Sequence, residues 1–183
     1  MKNILLIAVI IFFFEACSSK QLYTIGDTSH IKSGQKSSQE FIAVERVELP
    51  TYLMNSHIYQ QDNPYHLKKL DNANWIGEID KHLTRVIISY LQKSLNNPNI
   101  FPYPWSNINH IDKKISITIT KFIPYQNVVT LEANYQILDK NKKKTTSYFF
   151  NTNEVVSGKN IENMLSAMEK AYFKLIEDIN LKL

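Results

Sequence analysis

The chain of 183 residues is 44% hydrophobic and 21% charged, which places it in the ordinary globular range with enough residues for one domain and a sizeable core. Its formal charge of +4 is mild, and its cations are scattered apart from Lys140 and Lys142–Lys144, so a nucleic-acid partner, which needs a basic face, is not expected. One cysteine excludes an internal disulfide, and four glycines (Gly26, Gly34, Gly77, Gly158) are too few for a phosphate-cradling loop.

The first nineteen residues organise the reading. Lys2 supplies a positive charge, and Ile4 to Phe14 is an unbroken run of eleven apolar residues. A membrane-spanning helix needs roughly 20, so this run has the length of a signal-peptide core. Glu15, Ala16, Cys17 and a serine-rich stretch follow. A small residue before a cysteine at this place resembles the lipobox of bacterial lipoproteins. Phe14 and Glu15 stand where a lipobox carries an aliphatic and a small residue. In that family the thiol is diacylated and the chain is cut before it, so Cys17 becomes the lipidated N-terminus. The alternative is an uncleaved anchor or an ordinary secretory signal, with Cys17 incidental. The expected division is a signal peptide over 1–16, then the acylated cysteine, a short first strand and a polar loop over 17–40. A single α+β domain follows over 41–183.

Leu22-Tyr23-Thr24-Ile25 alternates weakly and predicts the first strand; residues 27–40 are polar and read as an exposed spacer. Phe41 to Leu49 is strand-like and stops at Pro50. Thr51 to Leu70 has no clear period, yet it carries Tyr52, Leu53, Met54, Ile58, Tyr59, Tyr65 and Leu67. Such a segment either packs across the sheet or offers apolar surface to a partner. Asp71 to Leu95 predicts a helix with Asn74 as N-cap and a stripe of Ile79, Leu83, Val86, Ile87, Tyr90, Leu91 and Leu95. Lys81 and Arg85 fall largely on its other side. Phe101 to Trp105 is a stiff aromatic segment that its prolines keep out of a central strand.

Three strands are predicted next, over 115–122, 129–137 and 145–156, the first two by apolar–polar alternation. The charged run Asp139 to Lys144 reads as a solvated hairpin tip. Asn160 caps a last helix whose stripe runs from Ile161 through Met164, Leu165, Met168, Tyr172 and Leu175 to Ile179. The expectation is an α+β fold: a mostly antiparallel sheet of about four to five strands, with two main helices packed on one face.

The chain has no Gly-x-Ser-x-Gly elbow, His-Glu-x-x-His, P-loop or dinucleotide fingerprint. His30, His57, His66, His82 and His110 never pair at the spacing that puts two ligands on one helical face. No catalytic residue, metal site or cofactor is expected.

Three groups of residues carry a further likeness. Val44 to Leu53 (VERVELPTYL), Asn74 to Glu78 (NWIGE) and Tyr103-Pro104-Trp105, in this order beyond Cys17, resemble the ABC-type transport auxiliary lipoproteins (PqiC/YmbA-like). After Leu53 that family often has Asp-Arg, where this chain has Met54-Asn55. The resemblance implies a non-enzymatic accessory subunit on the periplasmic face of the outer membrane. It would work with a periplasmic MCE-domain protein and an inner-membrane ABC permease in lipid transport or envelope maintenance, with a ring of copies as an option. The candidate contact surface is the segment Pro50 to Tyr59, with Tyr52, Leu53 and Tyr59 foremost in it, and Tyr103 to Trp105 second. The alternative is a lipoprotein that itself carries a lipid or other apolar ligand between helix and sheet.

Overall fold

Strict alternation over one long stretch builds the centre of the fold. In the computed structural model, which describes residues 20–34, 39–104 and 110–183, three long antiparallel strands run in sequence: β6 (Lys113–Tyr125), β7 (Val128–Asp139) and β8 (Lys144–Val155). Ile115, Ile117 and Ile119 of β6 and Leu131, Ala133 and Tyr135 of β7 are buried, while the residues between them face out. Each large apolar side chain buried this way stabilises by roughly 1.5–3 kcal/mol before chain entropy is subtracted.

Two helices cover this core. α1 (Ile79–Ser94) contributes Leu83, Ile87 and Leu91, and α2 (Ile161–Lys182) contributes Leu165, Met168, Tyr172 and Ile176. The Tyr172 hydroxyl, inside the core, donates to the Leu83 carbonyl at 2.9 Å and locks the helices together. Its ring stacks on Phe122 of β6 at 6.2 Å. Asn160 caps α2 through its side chain, accepting the Asn163 amide at 2.9 Å. Gly26 sits at φ +98° against α1, where a Cβ would lie 2.4 Å from a Val86 methyl. Its amide donates to Glu169 of α2 at 2.6 Å, so the chain after the first strand is strapped across both helices.

The other edge of β6 is divided. Its first half pairs in parallel with β2 (Ile42–Val44), which pairs in parallel with β5 (Ile100–Pro102). Its last residue pairs in parallel with β3 (His57–Asn63) at Gln61 and Tyr125. β3 forms a hairpin with β4 (His66–Trp75), and β1 (Gln21–Tyr23) adds to β4 in parallel. A single 3-10 turn, Thr51–Leu53, joins the two halves.

The sheet therefore has eight strands in mixed order, which corrects the expected four-to-five-strand, mostly antiparallel sheet. Two local causes explain the difference. Ile42, Ala43 and Val44 are all buried, so β2 shows no alternation and its parallel partners leave no trace in the sequence. The β3–β4 hairpin is exposed on both faces over residues 62–69, so it carries no two-residue period either. The helix expected from Asp71 starts at Ile79. Asn74, expected as its cap, lies buried in β4, where its Oδ1 accepts from His57 Nδ1 at 2.8 Å.

Strand direction gives the molecule two ends. β3 parallels β6 and opposes β4, so the β3–β4 tip and the β6–β7 turn lie at one end. The β7–β8 turn, residues 140–143 with Lys140, Lys142 and Lys143, lies at the other.

Candidate functional site

Arg46 follows the buried strand β2, and its half-exposed guanidinium turns toward the start of α1. It donates through Nε to Asp80 and through Nη2 to Glu78 at 2.7 Å. Lys81 donates to the other Glu78 oxygen at 2.6 Å. Asp80, 5% exposed at its side chain, also accepts the Lys81 amide at 2.8 Å. Behind it Thr84 Oγ1 donates to the Asp80 carbonyl at 2.7 Å and accepts the Val47 amide at 3.0 Å. α1 thus opens on a carboxylate pair suited to its positive end, with no side-chain cap at Glu78.

Burial alone would raise the Asp80 pKa, but hydrogen bonds from Arg46 and the Lys81 amide, with the Arg46 charge, outweigh it and hold the carboxyl below its ordinary value. A carboxyl whose folded-state pKa is depressed stabilises the fold above its unfolded value and loses that contribution as pH falls through the folded one. Urea midpoints measured from pH 7 down to about pH 3 should therefore fall less steeply in Asp80→Asn than in the wild type. Identical pH dependence in the two would sink this assignment.

Two depressions flank Arg46. One, of about 230 Å³, is bounded by Arg46, Lys81, Thr84, Arg85, Pro102 and Tyr103. The other, of about 470 Å³, is bounded by Arg46, Val47, Glu48, Leu49, Met54 and Asp80. Tyr103 is 41% exposed with Lys114 Nζ 5.3 Å from its ring centroid, and Met54 is 53% exposed. The surface is apolar and aromatic at its centres, with Arg46, Lys81 and Lys114 between and around them each paired to a carboxylate of Glu78, Asp80 or Glu45. Arg, Tyr and Met are side chains enriched where proteins meet proteins.

The candidates from the sequence divide. Leu53 is buried, and Tyr52 is half-buried with its hydroxyl accepting the Phe122 amide of β6 at 2.9 Å. Burial pushes the Tyr52 phenol up, against the pull of that amide. Pro50 is half-buried, and Tyr59 on β3 is half-buried beside His57, ring centroids 6.5 Å apart. Tyr103 is on the surface just described, and Met54 from the first candidate segment shares Arg46 with it. Cys17 and Trp105 lie outside the described residues. Lys81 and Arg85 were expected only off the apolar stripe of α1, and Arg46 and Lys114 carried no expectation of a site. Only the one-turn spacing of Lys81 and Arg85 on α1 signalled a shared face. Among the described residues no group of His, Cys, Asp or Glu is placed to hold a metal ion, and no helix is long and apolar enough to cross a membrane.

Comparison with known proteins gives two findings. The model of a family described as "ABC-type transport auxiliary lipoprotein component" matches residues 23–180. Among solved structures, the fold is similar to a Xanthomonas campestris protein of the DUF330 family, with TM-score 0.69 and 15% identity over 87% of this chain and 92% of that one. It is also similar to an uncharacterized protein, with TM-score 0.67 and 16% identity over 82% of this chain and 97% of that one. No curated protein matches the chain.

Proposed function

The chain belongs to the ABC-type transport auxiliary lipoprotein component family, and from that membership we propose a lipid-anchored, non-catalytic docking subunit of an MCE-type ABC transport system. In this reading Cys17 carries the acyl chains and the outer membrane is the membrane held. The periplasmic MCE-domain protein is the partner, its permease lies beyond it, and the cargo is lipid. The observation that carries the reading is the surface around Arg46, where Tyr103 and Met54 stand exposed among ion-paired side chains. Neither has a packing role that needs such exposure.

The alternative, a carrier holding lipid between helix and sheet, needs room there. Leu83, Ile87, Tyr135 and Tyr172 are buried together in that interface, and their close packing favours docking.

The test is capture. Tagged protein purified from detergent-solubilised envelopes should bring an MCE-domain protein with it. The double variant Tyr103→Asp, Met54→Asp should lower that capture at least about tenfold, the loss of roughly 1.4 kcal/mol or more expected when central contacts are replaced. Its thermal midpoint should stay near the wild type, since both side chains lie at the surface, outside the buried core. Capture unchanged by the double variant rejects this surface; co-purified lipid with no protein partner favours the carrier. Light scattering of the same material counts the copies in the assembly.

A further inference from the structure

We propose that the tip of the β3–β4 hairpin is a second membrane contact, seating Tyr65 and Leu67 in the headgroup region of the leaflet that holds the lipid anchor. The proposal rests on the reading of Cys17 as the acylated residue.

The argument is one of direction and length. β1 and β4 are parallel, with Gln21 beside Ala73. The chain before Gln21 and the part of β4 before Ala73 therefore leave the sheet toward the same end. Only the four residues Cys17 to Lys20 separate the anchor from Gln21, and four residues reach at most ~14 Å. β4 bulges between Asn74 and Lys69, so the advance from Asn74 to the tip is that of the six steps of β3 from His57 to Asn63, about 20 Å at strand rise. An anchor tied this closely brings the tip to the bilayer surface or past it. β6 stops at Tyr125, opposite Gln61, so the hairpin overhangs the sheet beyond that point.

The residues at the tip match that surroundings. Tyr65 is 98% exposed and Leu67 38%, with no core beneath them. A tyrosine ring with its hydroxyl suits the boundary between acyl chains and water. Lys68 and Lys69 follow, pairing across the hairpin with Gln60 and Tyr59. Their long stems let the ammonium groups reach anionic headgroups while the backbone lies deeper. Asp62 is the acidic group at the tip and faces His66 Nδ1 at 3.6 Å; Asp71 lies farther back.

Full-length acylated protein carrying Tyr65→Cys, labelled there with an environment-sensitive fluorophore, tests this in vesicles of phosphatidylethanolamine and phosphatidylglycerol. Cys17 does not compete for the label because its thiol is spent in acylation. The expected result is a several-fold rise in emission, a blue shift, and quenching by a quencher carried near the lipid headgroup. The same fluorophore at Lys143→Cys, on the turn at the opposite end, should show none of these. Acylated protein whose residue 65 stays as wet as residue 143 overturns the hairpin contact and leaves the anchor standing. Absence of acyl chains on Cys17 overturns both. Shielding of residue 65 only after envelope proteins are added assigns the tip to a protein partner and overturns the membrane contact.

Discussion

Cys17→Ser, exported behind a cleavable secretory signal in place of residues 1–16, leaves the protein free of washed membranes and without labelling by radioactive acyl precursors. The expected loss is large because little else holds the body down. Each buried methylene of an acyl chain contributes about 0.8 kcal/mol, a single myristoyl chain binds only marginally, and two or more hold durably. No helix among the described residues can cross a bilayer in its place. A hairpin tip with one tyrosine and one leucine is a shallow contact, and a formal charge of +4 on the whole chain gives weak attraction. Well over tenfold more of the variant should therefore appear in the soluble fraction. Its circular dichroism and thermal midpoint should match the unacylated wild-type domain, since none of the packing described includes Cys17. Continued acyl labelling of the variant would refute the lipidation assignment.

Tyr172→Ala destabilises the domain severely and lowers its urea midpoint. The residue is fully buried where both helices meet the sheet, stacked on Phe122 and bonded to the Leu83 carbonyl. Burial pushes its phenol well above the usual range, so it stays neutral and keeps donating. Removing a large aromatic from a closed core costs about 3–5 kcal/mol, a large share of the 5–15 kcal/mol that a domain commonly has. Tyr172→Phe separates the two contributions: it keeps the ring and loses only the hydrogen bond, so it should cost about 1 kcal/mol. Urea denaturation of the three proteins checks this, and equal losses in the two variants would show that the hydroxyl, and not the ring, dominates.

What could be read before folding followed from periodicity. β6, β7 and α2 announce themselves because one face is wet and the other dry, so Ile115, Leu131 and Met168 recur at the spacing that burial demands. Asn160 was legible as a cap for the same local reason, its side chain reaching only three residues on. β2 was legible as a strand, but nothing in Ile42-Ala43-Val44 announces parallel neighbours 58 and 71 positions away. The β3–β4 hairpin was missed because water surrounds it, which erases the alternation by which strands are found. At the site, Tyr103 was named for its aromatic, proline-bound setting. The cations around it were not, because Arg46, Lys81 and Lys114 lie on three elements that only the folded chain brings together.

The divided edge of β6 has a mechanical consequence. The ribbon of β3, β4 and β1 joins β6 near its last residue, whereas β2, which carries β5 and lies beside Arg46 and Tyr103, joins it near its first. In the proposed arrangement a pull between leaflet and docked partner is shared by the Gly26–Glu169 strap onto the helices and by β6, loaded lengthwise over its thirteen residues. Its rungs to β7 share that tension side by side, like stitches in a seam drawn along its length, instead of parting one after another.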